Sequence, residues 1–362
     1  MLNLENFGTL VSLAMVFATP TQSNNVPPGV ALFLLMTGHY VSQAVYVAAK
    51  LGIADLLKNG PRHYTQLAEA SGAHPSSLHR LLRLLAAAGV FSDEEGGNFA
   101  LTSMGDCLRS DVPGSMRTGA LLWAGPPLTD AWRDLLHSVK TGQVGFERVF
   151  GNDVFSYMAK HPEEAAVFYE GMSMGAPEIC AAVAAAYDFS QFGTVVDIGG
   201  AYGVFMIAIL RVYPAVRGVV LDLPHVAERT RKEIEAAGLA ERCKVVPGDF
   251  AEAVPSGGDA YVLKHVIHDW DDERSIKLLK NCRRVMAPEA KLLIVQSELP
   301  ARIQVSLPHL IATGNDVNML VVTGGRERTK IEFAALCEAA GLELNRVIAT
   351  QALVSVIEAV PG

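Results

Sequence analysis

The feature that most constrains this chain is a run of β-branched residues that leads into a glycine-rich turn. Residues 194–198 have the pattern of a buried strand, residues 199–203 form the turn, and Val204 begins a helix. Glycines in such a turn let the backbone approach a ligand closely and bend into the helix. Because short β-branched runs alternate with helical periods from Thr194 onward, the sequence predicts an α/β fold with a parallel sheet and crossover helices.

Acidic residues follow the next two predicted strands. The second strand, Gly218 to Leu221, ends at Asp222, where a carboxylate can accept hydrogen bonds from both hydroxyls of a ribose. The third ends at Gly248-Asp249-Phe250, which offers an acid for an adenine amino group and a ring to stack on its face. The pattern predicts a site for an adenosine-containing cofactor, and a nicotinamide-dependent dehydrogenase remains an alternative.

The C-terminal part argues against that alternative. A fourth strand, residues 260–266, leads into His268-Asp269-Trp270. Further elements are a helix and two β-like runs: Lys330 to Ala340, Leu344 to Ala349 and Ala352 to Ala359. A terminal antiparallel pair on a parallel sheet is not how a simple dehydrogenase half ends.

The N-terminal part has the outline of a winged helix. Thr65 is predicted to cap a short helix, Gly72 to supply a turn, and Pro75 to open a second helix. A hairpin with the acidic tip Asp93-Glu94-Glu95 follows. Because phosphate contacts need basic residues, the sequence favours a structural or dimerising winged helix over a DNA reader. A non-catalytic ligand sensor of this type remains an alternative.

Charge and composition predict a cytoplasmic protein without nucleic-acid or membrane partners. The formal net charge is −8, and five scattered cysteines form no CxxC pair. The first basic residue is Lys50, so the apolar residues 1–23 lack the basic region of a signal peptide. The apolar run Gly29 to Met36 is too short to span a bilayer. Both segments are expected to be helices packed against protein, with a homodimer as the consequence.

Five stretches in order carry a resemblance to a known family. They are Asp197-x-Gly-Gly-x-x-Gly203, Leu221-Asp222-Leu223-Pro224-His225-Val226, Gly248-Asp249-Phe250, Leu263-Lys264-x-x-x-His268-Asp269-Trp270, and Asp316-x-x-Met319-Leu320 with Gly324-Gly325-Arg326-Glu327-Arg328-Thr329. At these residues the chain resembles the plant caffeate-type and bacterial small-molecule O-methyltransferases that use S-adenosylmethionine, over residues 30–355.

The resemblance implies a fold and a division of the chain. The fold is a Rossmann-like class I methyltransferase sheet, parallel with one antiparallel strand near the C-terminus, plus an α-helical winged-helix dimerisation domain. The expected parts are a dimerisation domain over 1–108, a helical connector to the substrate pocket over 109–188, and a cofactor-binding catalytic domain over 189–362.

The resemblance also implies roles for individual residues. The cofactor S-adenosylmethionine is expected at Gly199, Asp222, Asp249, Phe250 and Lys264, with no metal. His268 corresponds to the family's catalytic base, flanked by Glu327 and, at the position of a second acid, Gln296. A small aromatic substrate is expected against Phe155, Phe168, Met172 and Met319.

This assignment makes chemical sense for a phenolic acceptor. A phenol with a pKa near 10 is mostly neutral at pH 7, and a histidine with a pKa near 6.5 can take its proton as attack begins. The predicted activity is therefore methylation of a phenolic hydroxyl of a small secondary metabolite.

Two departures from the family pattern leave questions open. Ala201 replaces a glycine of the turn, which is acceptable if its φ is negative. Gln296 can orient the imidazole but cannot stabilise imidazolium by charge. Glu298 lies on the same strand face if the strand continues that far, and whether it substitutes for the missing acid is open. A relative that keeps the cofactor but hydroxylates or decarboxylates a polyketide thus remains an alternative. His265 and His268 are expected to face opposite ways, which disfavours a metal cluster.

Overall fold

The computed structural model describes residues 26–362, so the predictions made for the apolar segment up to residue 23 lie outside the described residues. The chain forms two compact units. Among the described residues, the first comprises 26–130, 166–174 and 305–307. The second comprises residues 131–165, 175–304 and 308–362.

The first unit contains mostly helices and one small antiparallel sheet of order β1-β3-β2. Its elements up to residue 123 are α1 (Pro28–Lys50), α2 (Ile53–Leu57), β1 (Arg62–His63), α3 (Tyr64–Ser71), α4 (Pro75–Ala87), β2 (Phe91–Glu94), β3 (Asn98–Leu101), α5 (Ser103–Asp106) and α6 (Arg117–Trp123). Leu78, Leu82 and Leu85 are buried on one face of α4, as the helical period requires.

The predicted helix–turn–helix and hairpin are present, with one correction at a helix start. Gly72 ends α3 with φ 69°, and Pro75 is the first residue of α4. The cap of α3 is His63 and not Thr65, because His63 is the extended residue before the helix and its ring accepts a hydrogen bond from the Thr65 amide. The acidic residues at the hairpin tip are exposed.

Helix α1 presents an apolar surface that the described chain does not cover. Its buried residues are all alanines, whereas its large apolar side chains are exposed: Val30, Leu32, Phe33, Leu35, Met36 and Tyr40. By length and composition alone this helix is apolar enough to cross a membrane, a property that core helices and signal sequences share. Its apolar surface therefore needs a covering that the described chain does not provide.

The middle of the chain is a series of short helices: α7 (Pro126–Arg133), α8 (Leu135–Thr141), α9 (Gly145–Phe150), α10 (Val154–Lys160), α11 (Pro162–Met172) and α12 (Ala176–Ala186). The helical periods of this region predict two longer helices, Trp123 to Leu136 and Val154 to Met174, but the structure breaks each of them. Two breaks lie just before Pro126 and Pro162, because proline disfavours a helical conformation at the residue before it. The first stretch is broken again at Asp134, between α7 and α8.

The second unit is built on a seven-stranded sheet of order β6-β5-β4-β7-β8-β10-β9. Its elements after α12 are β4 (Thr194–Ile198), α13 (Val204–Val212), β5 (Arg217–Asp222), α14 (Pro224–Ala236), β6 (Cys243–Pro247), β7 (Ala260–Lys264), α15 (Asp272–Val285), β8 (Lys291–Gln296), α16 (Leu307–Val322), α17 (Lys330–Ala339), β9 (Leu342–Ala349) and β10 (Ser355–Pro361). Strand β10 pairs antiparallel with both its neighbours, and the other strand pairs are parallel. This confirms the predicted mostly parallel sheet with one antiparallel strand near the C-terminus.

Alternation along the central strands divides the core into two layers. Val195, Val220 and Val262 belong to one buried cluster. Val196, Tyr261 and Leu263, which are next to Val195 and Val262 along the same strands, belong to the other. Because both faces of the strands are buried, these runs are almost continuously apolar. The sheet is thereby packed on both faces, and its carboxyl edge carries the polar residues described next.

Candidate active site

The carboxyl ends of β4, β5 and β6 bring three predicted cofactor residues to one edge of the sheet. The Gly199 amide donates to the Leu221 carbonyl oxygen at 2.8 Å, and the Gly248 amide donates to that of Asp222 at 2.9 Å. Asp249 follows Gly248 directly. Ligands of open α/β sheets bind in the crevice outside such strand ends.

Asp222 is tied to the glycine-rich turn. Its Oδ2 accepts a hydrogen bond from the Ala201 amide and its Oδ1 from the Leu223 amide, both at 2.7 Å. Burial raises the pKa of Asp222, and these two hydrogen bonds act in the opposite direction. Ala201 has φ 46°, so the condition of a negative φ set for it is not met. The turn holds an alanine in the left-handed region, where a Cβ is strained.

Gly199 and Phe250 lie against each other. A Cβ on Gly199 would lie 2.9 Å from Val266 Cγ2 and 3.5 Å from Phe250 Cε1, and Gly199 has φ 69°. Phe250 also meets the ring of Trp270 edge-on, at 6.1 Å between centroids. An aromatic ring beside a glycine turn is suited to stacking on a flat group.

Asp197, the residue before the last of β4, begins the first family motif but was given no role from the sequence. It is buried, and neither carboxylate oxygen has a hydrogen-bond partner among the described residues. Burial raises its pKa to about 7, Lys264 lowers it, and Asp222 raises it further. A buried carboxylate without partners fits a ligand that supplies hydrogen-bond donors or positive charge, as S-adenosylmethionine does.

We call Asp197, Gly199, Asp222, Asp249 and Phe250 the cofactor cradle. Lys264, the last residue of β7, lies within electrostatic reach of it. Its charge acts on Asp197 and also on His265 and His268. The charge of this lysine thus influences both Asp197 and the two histidines after β7.

His268 lies in a single 3-10 turn, Ile267–Asp269, between β7 and α15. Its Nδ1 is 2.8 Å from Glu327 Oε1, and its Nε2 is 3.9 Å from Asp269 Oδ1. Burial opposes the charged imidazolium, but Asp269 and Glu327 outweigh it, so the pKa of His268 lies above 6.5. The predicted pair of His268 and Glu327 is thus in hydrogen-bonding contact.

Gln296 contacts Glu327 and not the imidazole. Its Nε2 donates to Glu327 Oε2 at 2.9 Å, in a fully buried position at the end of β8. The backbone amide of Glu327 also donates to Asp316 Oδ1 at 2.9 Å. The expected direct orientation of His268 by Gln296 is therefore replaced by an indirect one through the carboxylate.

Glu298 is not placed on the same strand face as Gln296, because β8 ends at Gln296. It forms an isolated bridge with Arg328 beyond the strand. The condition under which Glu298 would stand in for the missing acid is therefore not met.

His265 and His268 do not face opposite ways, so that expectation was wrong. Their ring centroids lie 5.4 Å apart at an interplanar angle of 33°. His265 has φ 54°, which ends β7 at Lys264 and breaks the strand alternation on which the expectation rested. Burial, Lys264 and His268 lower its pKa well below 6.5. Among residues 26–362 no group of three or more His, Cys, Asp or Glu side chains could hold a metal ion.

The four predicted substrate residues are divided between the two units. Phe155 lies 5.8 Å from Trp270, ring to ring, and Met319 is buried near the end of α16, both in the second unit. Phe168, buried, and Met172, exposed, lie on the part of α11 that belongs to the first unit. Trp132 was not among the predicted residues, yet its Nε1 donates to Asn318 Oδ1 beside Met319 at 2.8 Å. No pattern in the sequence indicated that pair.

Comparison with protein families gives two matches along the chain. Residues 132–343 match an O-methyltransferase domain, and residues 33–111 match an O-methyltransferase dimerisation domain. Together the two matched segments include the candidate site and most of the first unit.

Individual relatives cover nearly the whole chain. Phenazine O-methyltransferase PhzM of Lysobacter antibioticus is 45% identical over 93% of this chain and 97% of its own length. An 8-amino-8-demethylriboflavin N,N-dimethyltransferase of Streptomyces davaonensis is 35% identical over 84% and 87%. The crystal structure of the O-methyltransferase NcsB1 from neocarzinostatin biosynthesis, in complex with S-adenosyl-L-homocysteine and 1,4-dihydroxy-2-naphthoic acid, has a TM-score of 0.78 at 32% identity, over 89% of this chain and 96% of that one.

Proposed function

The chain belongs to the O-methyltransferase family, and from this premise we propose that it transfers a methyl group from S-adenosylmethionine to a phenolic hydroxyl of a small aromatic secondary metabolite. The observation that carries the proposal is the 2.8 Å contact between His268 Nδ1 and Glu327 Oε1 at the carboxyl edge of the sheet. In this proposal His268 is the base, and the cofactor cradle at the same edge of the sheet supplies the donor and acceptor groups that the cofactor needs.

In this proposal the cofactor is bound by five predicted residues and one found in the structure. Asp222 holds the ribose, Asp249 and Phe250 hold the adenine, and Gly199 lets the backbone approach the methionine part. The carboxylate of Asp197, which has no hydrogen-bond partner among the described residues, supports this assignment, since it and the charge of Lys264 can pair with the ammonium and carboxylate of the methionine part. Bound there, the cofactor supplies an electrophilic methyl group on a sulfonium.

His268 acts as the general base in this scheme. Glu327 accepts the hydrogen bond from Nδ1, so the neutral tautomer has its lone pair on Nε2. Nε2 then takes the proton of the acceptor hydroxyl, and Glu327 stabilises the imidazolium that forms. General-base catalysis of this kind contributes about 10² to 10⁴ in rate, and orientation of the acceptor can supply roughly 7 to 11 kcal/mol more.

The direct test replaces the base. The His268→Ala protein, shown by calorimetry to bind S-adenosylmethionine as the wild type does, should methylate its phenol about 10² to 10⁴ times more slowly. Wild-type rates in this variant would remove His268 as the base. The acceptor is to be found with methyl-labelled cofactor and a panel of phenazine, polyketide and flavonoid phenols.

Two further candidates change the chemistry at the same site. An amine acceptor is favoured by the relative that dimethylates nitrogen, and the same labelling experiment with aromatic amines tests it. A reaction without methyl transfer, such as hydroxylation or decarboxylation, is favoured by Gln296 at the acid position. In that case the label would stay on the cofactor while the substrate changes mass.

For the first unit we infer a structural winged helix that forms a cytoplasmic homodimer. The exposed apolar residues of α1 support dimerisation, because such a surface is stable only when covered. The acidic hairpin tip disfavours nucleic acid. The assignment of Phe155, Phe168, Met172 and Met319 to the aromatic substrate and the division at residues 108 and 188 remain predictions from the sequence.

A further inference from the structure

Arg328 is the largest of the fully buried side chains, and it follows Glu327 directly. An arginine is almost never fully buried unless its guanidinium is paired, because burial of an unpaired charge is costly. Neither the cofactor cradle nor the proton transfer described above uses it. Its position next to the carboxylate that orients the base therefore requires an explanation.

The guanidinium of Arg328 is bound to the chain on both sides of His268. It donates to the Ile267 carbonyl oxygen at 3.1 Å and to that of Trp270 at 2.9 Å. It also donates to Asp272 Oδ1 at 2.8 and 3.0 Å and to Ser275 Oγ at 3.3 Å. One planar group thus ties together the turn that contains the base and the first turn of α15.

A second observation places the same segment against the backbone of the base. A Cβ on Gly325 would lie 1.9 Å from the His268 carbonyl oxygen and 2.4 Å from the Asp269 carbonyl carbon. Only glycine permits this approach, since such distances are far below van der Waals contact. Gly325 and Arg328 therefore flank Glu327 with two close contacts to the turn that holds His268.

We infer that Arg328 is a positioning residue for the methyl-transfer reaction. With Gly325 it clasps the 267–270 turn and so keeps His268 Nδ1 within hydrogen-bonding distance of Glu327. This inference rests on the proposed function of His268. Arg328 itself contacts neither reacting atom. Its fork of donors binds two carbonyls and a carboxylate at once, which a lysine ammonium on a flexible stem does not reproduce.

The variant that tests the clasp is Arg328→Lys, and Arg326→Lys is its matched control. Arg326 lies two residues earlier in the same segment, but it is half-exposed and pairs with Glu332 at the surface. The displacement of an aligned group by about 1 Å can cost 10²-fold in rate. Arg328→Lys should therefore lower kcat by about 10- to 100-fold and leave the KM for S-adenosylmethionine within about twofold. The control should keep wild-type kcat.

Histidine-selective NMR gives a readout that does not depend on activity. Asp269, Glu327, Lys264 and His265 are the titratable groups that act on His268. When His268 and Glu327 move apart, His268 loses a partner that favours its charged form. Its titration midpoint should therefore shift downward in Arg328→Lys. In Arg326→Lys the midpoint should not change.

The outcomes separate the clasp from the proposed function. An unchanged kcat and an unchanged His268 midpoint in folded Arg328→Lys would overturn the clasp. A shifted midpoint in a protein whose wild type transfers no labelled methyl would retain the clasp and overturn the proposed function. If Arg328→Lys does not fold, Asp272→Ala removes the more exposed partner of the guanidinium. No change of midpoint or kcat in that variant would also overturn the inference.

Discussion

Replacement of Gln296 tests whether its buried amide supports His268 through Glu327. In Gln296→Met the side chain keeps a similar length but loses the amide that donates to Glu327 Oε2 at 2.9 Å. The other polar atom, Oε1, has no partner among the described residues, so the substitution removes a single hydrogen bond. Neither Glu327 nor His268 is itself changed.

The expected magnitude follows from that one bond. A hydrogen bond to a charged group contributes about 1.5 to 3 kcal/mol, and each 1.36 kcal/mol is tenfold in rate. The amide holds Glu327 Oε2 and so fixes the carboxylate that faces His268. A carboxylate that shifts away stabilises the imidazolium of the transition state less, so much of this loss should be felt there. We expect kcat/KM for the phenol to fall about 10- to 100-fold, with the KM for S-adenosylmethionine unchanged.

The assay is transfer of labelled methyl from pH 5.5 to 9, on protein whose circular dichroism matches the wild type. The wild-type kcat/KM should fall as the pH drops through a midpoint above 6.5, because the pKa of His268 is raised and only its neutral form accepts a proton. In Gln296→Met this midpoint should move toward lower pH. A kcat/KM within twofold of wild type at every pH, with the same midpoint, would refute the idea that the buried amide supports the base through Glu327.

Three further outcomes are expected. Glu358 is buried; burial raises its pKa, but hydrogen bonds from Arg346, Tyr187 and Asn345 and the charge of Lys291 outweigh this and lower it to about 2. It should therefore contribute about 1 to 3 kcal/mol to stability above pH 4.5, after allowance for screening at the half-exposed Arg346, and lose this contribution as the pH falls toward 2. Urea unfolding should accordingly show a deficit for Glu358→Gln that narrows from pH 5 to pH 2, and a constant deficit would contradict the assignment. Ala201→Gly should raise the free energy of unfolding by up to about 1 kcal/mol, because glycine tolerates φ 46°; a clear loss of stability would show that the alanine is not strained. Phe33→Glu on α1 should convert the proposed homodimer to monomer in sedimentation velocity, and an unchanged sedimentation coefficient would argue that α1 is covered in another way.

The sequence by itself predicted the elements that depend on short-range patterns. The strand, turn and helix from Thr194 to Val212, the acid at the end of β5 and the hairpin of the first unit all occur as expected. The reason is that alternation, glycine turns and proline starts act over a few neighbouring residues. The contact between His268 and Glu327 was also expected, although it came from the family motif and not from spacing.

Tertiary structure decided which partner each polar side chain meets. Gln296 lies 31 residues from Glu327 and Arg328 lies 61 residues from Ile267, and only the packing of β8, the 267–270 turn and the segment before α17 brings them together. The left-handed conformations of Ala201 and His265 were likewise beyond the sequence pattern, because a positive φ is uncommon for any residue other than glycine. Local periodicity therefore determines where an element lies, whereas the free energy of burying a charge in a packed loop determines what that charge must contact.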